Sequence, residues 1–257
     1  MDLVVDRRLP VSQGMRTSDL VKSVEGLLSL GKSDFEVIGP FRQDRFFKES
    51  QGLAEVAGSV WMRKRLDTKA VEVRELTDEL GLRMLKHPVN SHRGFVCVDM
   101  DTFVMDNSGT HKQRVGRAYQ AIDGSTPIAA CLGNEGWRVG RELRSGTHHS
   151  ALETEYFMER VFPRVRRLMQ GRNEPVLWRA DSGFDSAQLL LGLQGERWGV
   201  QQRSLDFIGK WSPRRQDKTD CVQRLDAAHA LEQTREGERV RYSSETVERS
   251  IGMGRAN

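Results

Sequence analysis

The chain has 257 residues, 37% of them hydrophobic, which is long and apolar enough to bury one large core or two modest ones. Its 40 Lys and Arg stand against 36 Asp and Glu, a net charge of +4, so the surface is densely charged in both signs and leans only mildly towards a polyanionic partner. This composition excludes a collagen-like, disordered or disulfide-stapled chain. Cys97, Cys131 and Cys221 are far apart and show no CxxC or Cys/His ligand spacing, as expected of reduced thiols in a cytoplasmic protein. The opening MDLVVDRRLPVSQG lacks the apolar core of a signal peptide, and no run approaches the roughly 18 apolar residues of a membrane helix, so no membrane partner is expected.

From Thr17 to about Lys86 the apolar residues recur at helical spacing. Thr17 or Ser18 can cap a helix carrying Leu20, Val21, Val24, Leu27, Leu28 and Leu30, with Gly31 at its end. A second helix is expected from Ser33 or Asp34 to Gly39-Pro40, a third over Phe41–Lys48, a fourth over Leu53–Leu66 and a fifth over Val71–Leu85. Together they predict a small all-α module over residues 1–90. Arg63, Lys64 and Arg65 sit beside Trp61, and two readings stay open for them: a helix lying against a DNA backbone, or the solvated face of a packed helix.

After the turn-forming HPVNSH the period changes to that of strands. RGFVCVDMDTFVMDN reads as a mostly buried strand interrupted by Asp99 and Asp101, whose side chains leave the sheet on one face because they lie two residues apart. Further strands are predicted near Ala118–Ile122, Thr126–Leu132 and Trp137–Leu143, joined by turns at Asp123-Gly124 and Asn134-Glu135-Gly136, as an antiparallel meander. A helix with Leu152, Tyr156, Phe157, Val161, Phe162, Val165 and Leu168 on its apolar stripe follows, kinked by Pro163. Then come a short strand over Pro175–Ala180, a helix over Asp185–Gly195 and a last strand over Trp198–Gln202. The order predicts an α/β mixed sheet flanked by helices over residues 91–202.

Asp181 ends one of these strands. It is either the cap of the next helix or the partner of Asp101, if the two strands are neighbours. Carboxylates meeting in that way suit Mg²⁺, which accepts one or two of them plus a substrate phosphate.

VDMDT at 98–102, the GxAYxAIDGSTPIAA stretch from Gly116, RELRSGTHHSA from Arg141 and VLWRADSGFDS from Val176 together resemble the bacterial insertion-sequence transposases of the DDE type. RADSGF after an apolar strand is the most specific of these pieces, and the likeness extends back to Leu27 through the helical module. The resemblance implies an RNase H-like core and metal-dependent cleavage and strand transfer of DNA ends. It assigns Asp101 and Asp181 as catalytic residues, and as ligands of Mg²⁺ or Mn²⁺ with Asp99 beside them. It implies double-stranded DNA as partner, both element terminal repeats and target, together with a second copy of the chain. On this reading Arg63, Lys64, Arg65, His111, Lys112, Arg114, Arg117 and Arg179 are candidates for phosphate contact, and Gly183 for close approach to DNA. His148 and His149 read as loop residues.

The family's third acid is a Glu on a helix reached after a β-rich insertion. Residues 203–257 read as the start of that insertion, with a hairpin near Glu236–Tyr242, and only Glu245 and Glu248 stand near a late helical stretch. The expectation is a truncated or frame-shifted transposase whose site lacks its third carboxylate. The alternatives are a catalytically inactive DNA-binding remnant and an RNase H-like nuclease.

Overall fold

The structure is a computed structural model that describes residues 2–11, 14–85, 89–195, 198–200, 205–210, 219, 223, 231–235 and 238–242. The chain divides into two compact units between residues 87 and 88.

The first unit is helical: α1 (Asp2–Arg8), α2 (Thr17–Ser29), α3 (Arg45–Gln51), α4 (Ser59–Thr68) and α5 (Ala70–Met84), with two short 3₁₀ turns at Phe35–Ile38 and Pro40–Arg42. The predicted second helix is a 3₁₀ turn, and the predicted third is shifted to α3, because Gly39-Pro40 interrupts the i→i−4 ladder and Asp44 starts α3 by accepting from the Phe47 amide. The fourth helix begins at Ser59, not Leu53. Leu53, Val56 and Ala57 precede it as irregular chain and are buried in the same core as Met62. α1 was not anticipated. Its Asp6 carboxylate takes both the amide and the hydroxyl of Ser18, at 2.9 and 2.7 Å, and so caps α2 from outside that helix. Leu20, Leu27, Ile38, Phe47 and Met62 form the core, and Gly26 is what lets Phe47 in: a Cβ there would lie 2.6 Å from the ring.

The second unit is a five-stranded sheet in the order β6-β5-β1-β7-β8, built from β1 (Val96–Thr102), β5 (Ile128–Leu132), β6 (Trp137–Glu142), β7 (Val176–Ala180) and β8 (Asp206–Gly209). β1, β5 and β6 are antiparallel neighbours, while β7 and β8 run parallel to β1. A smaller sheet of β2 (Met105–Asp106), β3 (Gly116–Arg117) and β4 (Asp123–Ser125) is inserted between β1 and β5. The strand expected near Ala118–Ile122 is instead a tight turn, closed by the Ala118 amide on the Ile122 carbonyl at 2.9 Å.

Alternation decides which face is core. Val96, Val98 and Met100 are buried with Ile128, Ala130, Leu132, Val176 and Trp178 against α6 (Thr154–Leu168) and α7 (Ala187–Gln194). α6 continues through Pro163 and comes close to β6 because Gly140 carries no side chain. A Cβ there would lie 2.5 Å from Val161. The opposite face holds Asp99, Asp101, Cys131, Leu177 and Arg179, all partly or well exposed. The last strand of the sheet is β8, not Trp198–Gln202. Trp198 and Val200 are drawn into the core as side chains, and residues 201–204 lie outside the described residues. The expected late hairpin is β9 (Leu231–Arg235) paired antiparallel with β10 (Glu238–Tyr242).

Candidate active site

β1 and β7 are parallel, with Asp99 opposite Arg179 and Met100 opposite Ala180. One residue further along each strand stand Asp101 and Asp181, so the carboxyl ends of two neighbouring strands each present an exposed carboxylate. In open α/β sheets this is where ligand sites gather, because the loops separate there. Each carboxylate has one oxygen fixed by a backbone amide. Asp101 Oδ1 accepts from Thr102 at 2.7 Å, and Asp181 Oδ1 accepts from Gly183 at 3.0 Å, which also starts a short 3₁₀ turn at Ser182–Phe184. Asp181 thus caps this 3₁₀ turn rather than α7 (Ala187–Gln194), whose N-cap is Ser186, and its second oxygen is uncommitted among the described residues.

Asp99 is occupied differently from expectation. Arg179 Nε and Nη2 donate to its two oxygens at 2.6 and 2.7 Å, a bidentate fork. The cation that answers this acid is a side chain of the next strand, which removes the need for a metal at Asp99 and commits Arg179 to it. The same pair raises the Arg179 guanidinium above its ordinary value, through the hydrogen bonds first.

A loop ties the two strand ends together. Ser150 Oγ lies 2.8 Å from Thr102 Oγ1, and a Cβ on Gly183 would come within 2.9 Å of the same Ser150 Oγ. A side chain at Gly183 would have to displace the Ser150 hydroxyl, whatever else approaches it. The Ser150 carbonyl accepts from Thr154 Oγ1 at 2.5 Å. The loop is held from below by Arg144, which sequence reading missed: it is 3% exposed and donates to the carbonyls of Ser150, Leu152 and Glu153 at 3.4, 2.9 and 3.3 Å. Nothing local marks it, since the apolar Leu143 beside it is exposed while the charged residue is inside.

The histidines of this loop are engaged locally, His148 with Glu153 and His149 Nδ1 accepting from the Ala151 amide. Beside Asp181 a hollow of about 150 Å³ is walled by Trp178, Phe184, Leu190 and Phe207, with Lys210 at its polar rim.

The basic candidates are scattered, not gathered. Lys112 donates to Asn107 at 2.9 Å and Arg117 pairs with Asp123 at 3.3 Å, on the inserted sheet. His111 and Arg114 are exposed there, Arg114 with a positive φ of 60°. In the helical unit Arg63 pairs with Glu36, and Arg65 lies over the Trp61 ring at 5.3 Å. Lys64 has no partner among the described residues and is exposed. Glu245 and Glu248 lie outside the described residues.

Two carboxylates with one free oxygen each suit a hydrated, hard divalent ion that takes its remaining ligands from water and phosphate. Among the described residues no cluster of three or more metal-ligating side chains occurs. No protein family, curated protein or solved structure matches the chain. No helix among the described residues is long and apolar enough to cross a membrane.

Proposed function

We propose that the chain is a DDE-type transposase of a bacterial insertion sequence, a metal-dependent enzyme that cuts and joins DNA ends on an RNase H-like core. The observation that carries this reading is the register of β1 and β7, which sets Asp101 and Asp181 at the ends of adjacent parallel strands. Supporting it are a meander of three antiparallel strands followed by two strands parallel to the first, and the RADSGF segment turning directly after β7. Asp101 and Asp181 would hold Mg²⁺ or Mn²⁺ through their free oxygens. Such an ion activates water or a 3′-hydroxyl and stabilises the leaving oxygen of a phosphodiester.

The chain's own residues do the positioning. The Thr102 and Gly183 amides fix the carboxylates, and Lys210 brings positive charge beside Asp181 for a phosphate. Arg179 keeps Asp99 neutralised next to the site, so that two like charges do not compete along β1. Double-stranded DNA is the partner this function would act on, with a homodimer as the possible assembly. Exposed Lys64 offers phosphate contact from the helical unit.

A second reading is a DNA-binding remnant without catalysis. Purified protein given Mg²⁺ or Mn²⁺ and labelled element ends separates the two. Nicking that disappears in Asp101→Ala and Asp181→Ala supports the enzyme, and retained binding without any nicking supports the remnant. Cleavage indifferent to the end sequence would point to an RNase H-like nuclease instead.

A further inference from the structure

The paired ends of β1 and β7 are approached by Ser150, which belongs to neither strand: its Oγ is 2.8 Å from Thr102 Oγ1 and would lie 2.9 Å from a Cβ on Gly183. Its hydroxyl bonds Thr102, the residue whose amide fixes Asp101, and it lies against Gly183, the residue whose amide fixes Asp181. Its carbonyl is held by Thr154 at the start of α6 and by the buried Arg144. The loop that carries it is therefore anchored by Thr154 and Arg144 at one end and meets the residues after both carboxylates at the other.

We propose that Ser150 is a positioning residue that sets the spacing of the Asp101 and Asp181 carboxylates, so that both reach one divalent ion. It touches neither carboxylate. It acts through the two backbone amides that orient them, as the partners behind metal ligands commonly do. This inference rests on the metal-dependent reading above.

The test measures Mn²⁺ binding to the full chain, without DNA, from the loss of the free-ion electron paramagnetic resonance signal. Ser150→Ala deletes the hydroxyl and Thr102→Val removes its partner at nearly constant volume. Each is expected to weaken Mn²⁺ binding at least tenfold, the lower end of what lost outer-shell contacts cost, while the melting temperature stays near wild type. Thr102→Ser keeps the hydroxyl and is expected to bind as wild type does. The double variant Ser150→Ala/Thr102→Val is expected to lose no more than either single change, because both remove one contact. Wild-type affinity in Ser150→Ala overturns the proposal for Ser150 alone. A wild-type chain that binds no Mn²⁺ overturns the proposal and the metal-dependent reading together.

Discussion

Arg179 on β7 grips Asp99 on β1 through two parallel hydrogen bonds, one residue before the strands reach Ala180 and Met100. The pair is 43% and 44% exposed, so water screens it and its contribution lies at about 0.5–1 kcal/mol. Arg179→Ala is expected to cost about that much, and Arg179→Lys to recover little of it, because an ammonium offers no planar fork. Urea denaturation of Arg179→Ala, Asp99→Asn and the Asp99→Asn/Arg179→Ala double variant measures the coupling. A coupling near zero would show that the fork does not persist in solution.

Arg144 is the opposite case. Its side chain is 2% exposed, and besides three carbonyls it has Glu142 at 3.9 Å and the Phe157 ring beneath it. Arg144→Met keeps the volume but leaves three carbonyl acceptors without their donor, while Glu142 keeps Arg160 at 2.5 Å, so about 1–3 kcal/mol is expected. The same denaturation assay checks this, and a cost below 1 kcal/mol would mean that water replaces the guanidinium.

Gly146 sits where the loop before α6 crosses the inserted sheet. A Cβ there would lie 2.1 Å from the Gly116 carbonyl oxygen and 2.4 Å from that of Gly124, both backbone atoms with little freedom to yield. Gly146→Ala is therefore expected to cost at least 1–3 kcal/mol through overpacking. Gly171→Ala meets nothing within 4 Å and pays only for its φ of +76°, about 1 kcal/mol. Thermal melts of the two variants should rank them in that order.

Much of the sheet was legible because period-two alternation and burial agree. VLWRA at 176–180 and the stripe of Phe157, Val161, Phe162 and Val165 stand where the pattern put them. The failures have local causes. The segment 118–122 has strand-forming residues but closes on itself through its own amides, and Trp198 and Val200 serve the core as side chains, so the fifth strand comes later. In the candidate site the juxtaposition of Asp101 and Asp181 could be anticipated from strand order alone. The pairing of Asp99 with Arg179 could not, since it depends on the register between strands about 80 residues apart. Arg144 escaped notice, and Ser150 could be read only as a possible helix cap, for a related reason: their contacts are to backbone carbonyls, a threonine and a glycine position, which leave no spacing signature in a single sequence.

In the helical unit two carboxyls are held below their ordinary range, Asp2 by its hydrogen bond to Lys22 at 2.6 Å and Glu36 by its hydrogen bonds to Arg63 and Ser59. A depressed folded-state value adds stability above the unfolded carboxyl range, and that stability is lost as pH falls through the folded value. Lys22→Met and Arg63→Met are thus expected to lower the melting temperature at neutral pH, and the gap from wild type to close below about pH 4. Melts followed by circular dichroism at several pH values check the direction. A gap that widens in acid would mean that the carboxyls stabilise the chain in their protonated form.

Metal addition and removal give the most direct reading of the two strand ends. An ion that binds the folded chain but not the unfolded one stabilises it by mass action, about 2.7 kcal/mol at a hundredfold excess over its dissociation constant. Mn²⁺ or Mg²⁺ is therefore expected to raise the melting temperature by several degrees, and EDTA to reverse the rise. Asp101→Asn and Asp181→Asn should each abolish the shift, because each removes one of the two carboxylates proposed to hold the ion. Asp99→Asn should retain it, since the oxygens lost there belong to Arg179. A shift that survives both Asp101→Asn and Asp181→Asn would place the ion elsewhere in the chain. A shift lost in Asp99→Asn would mean that Arg179 releases its partner when the ion binds.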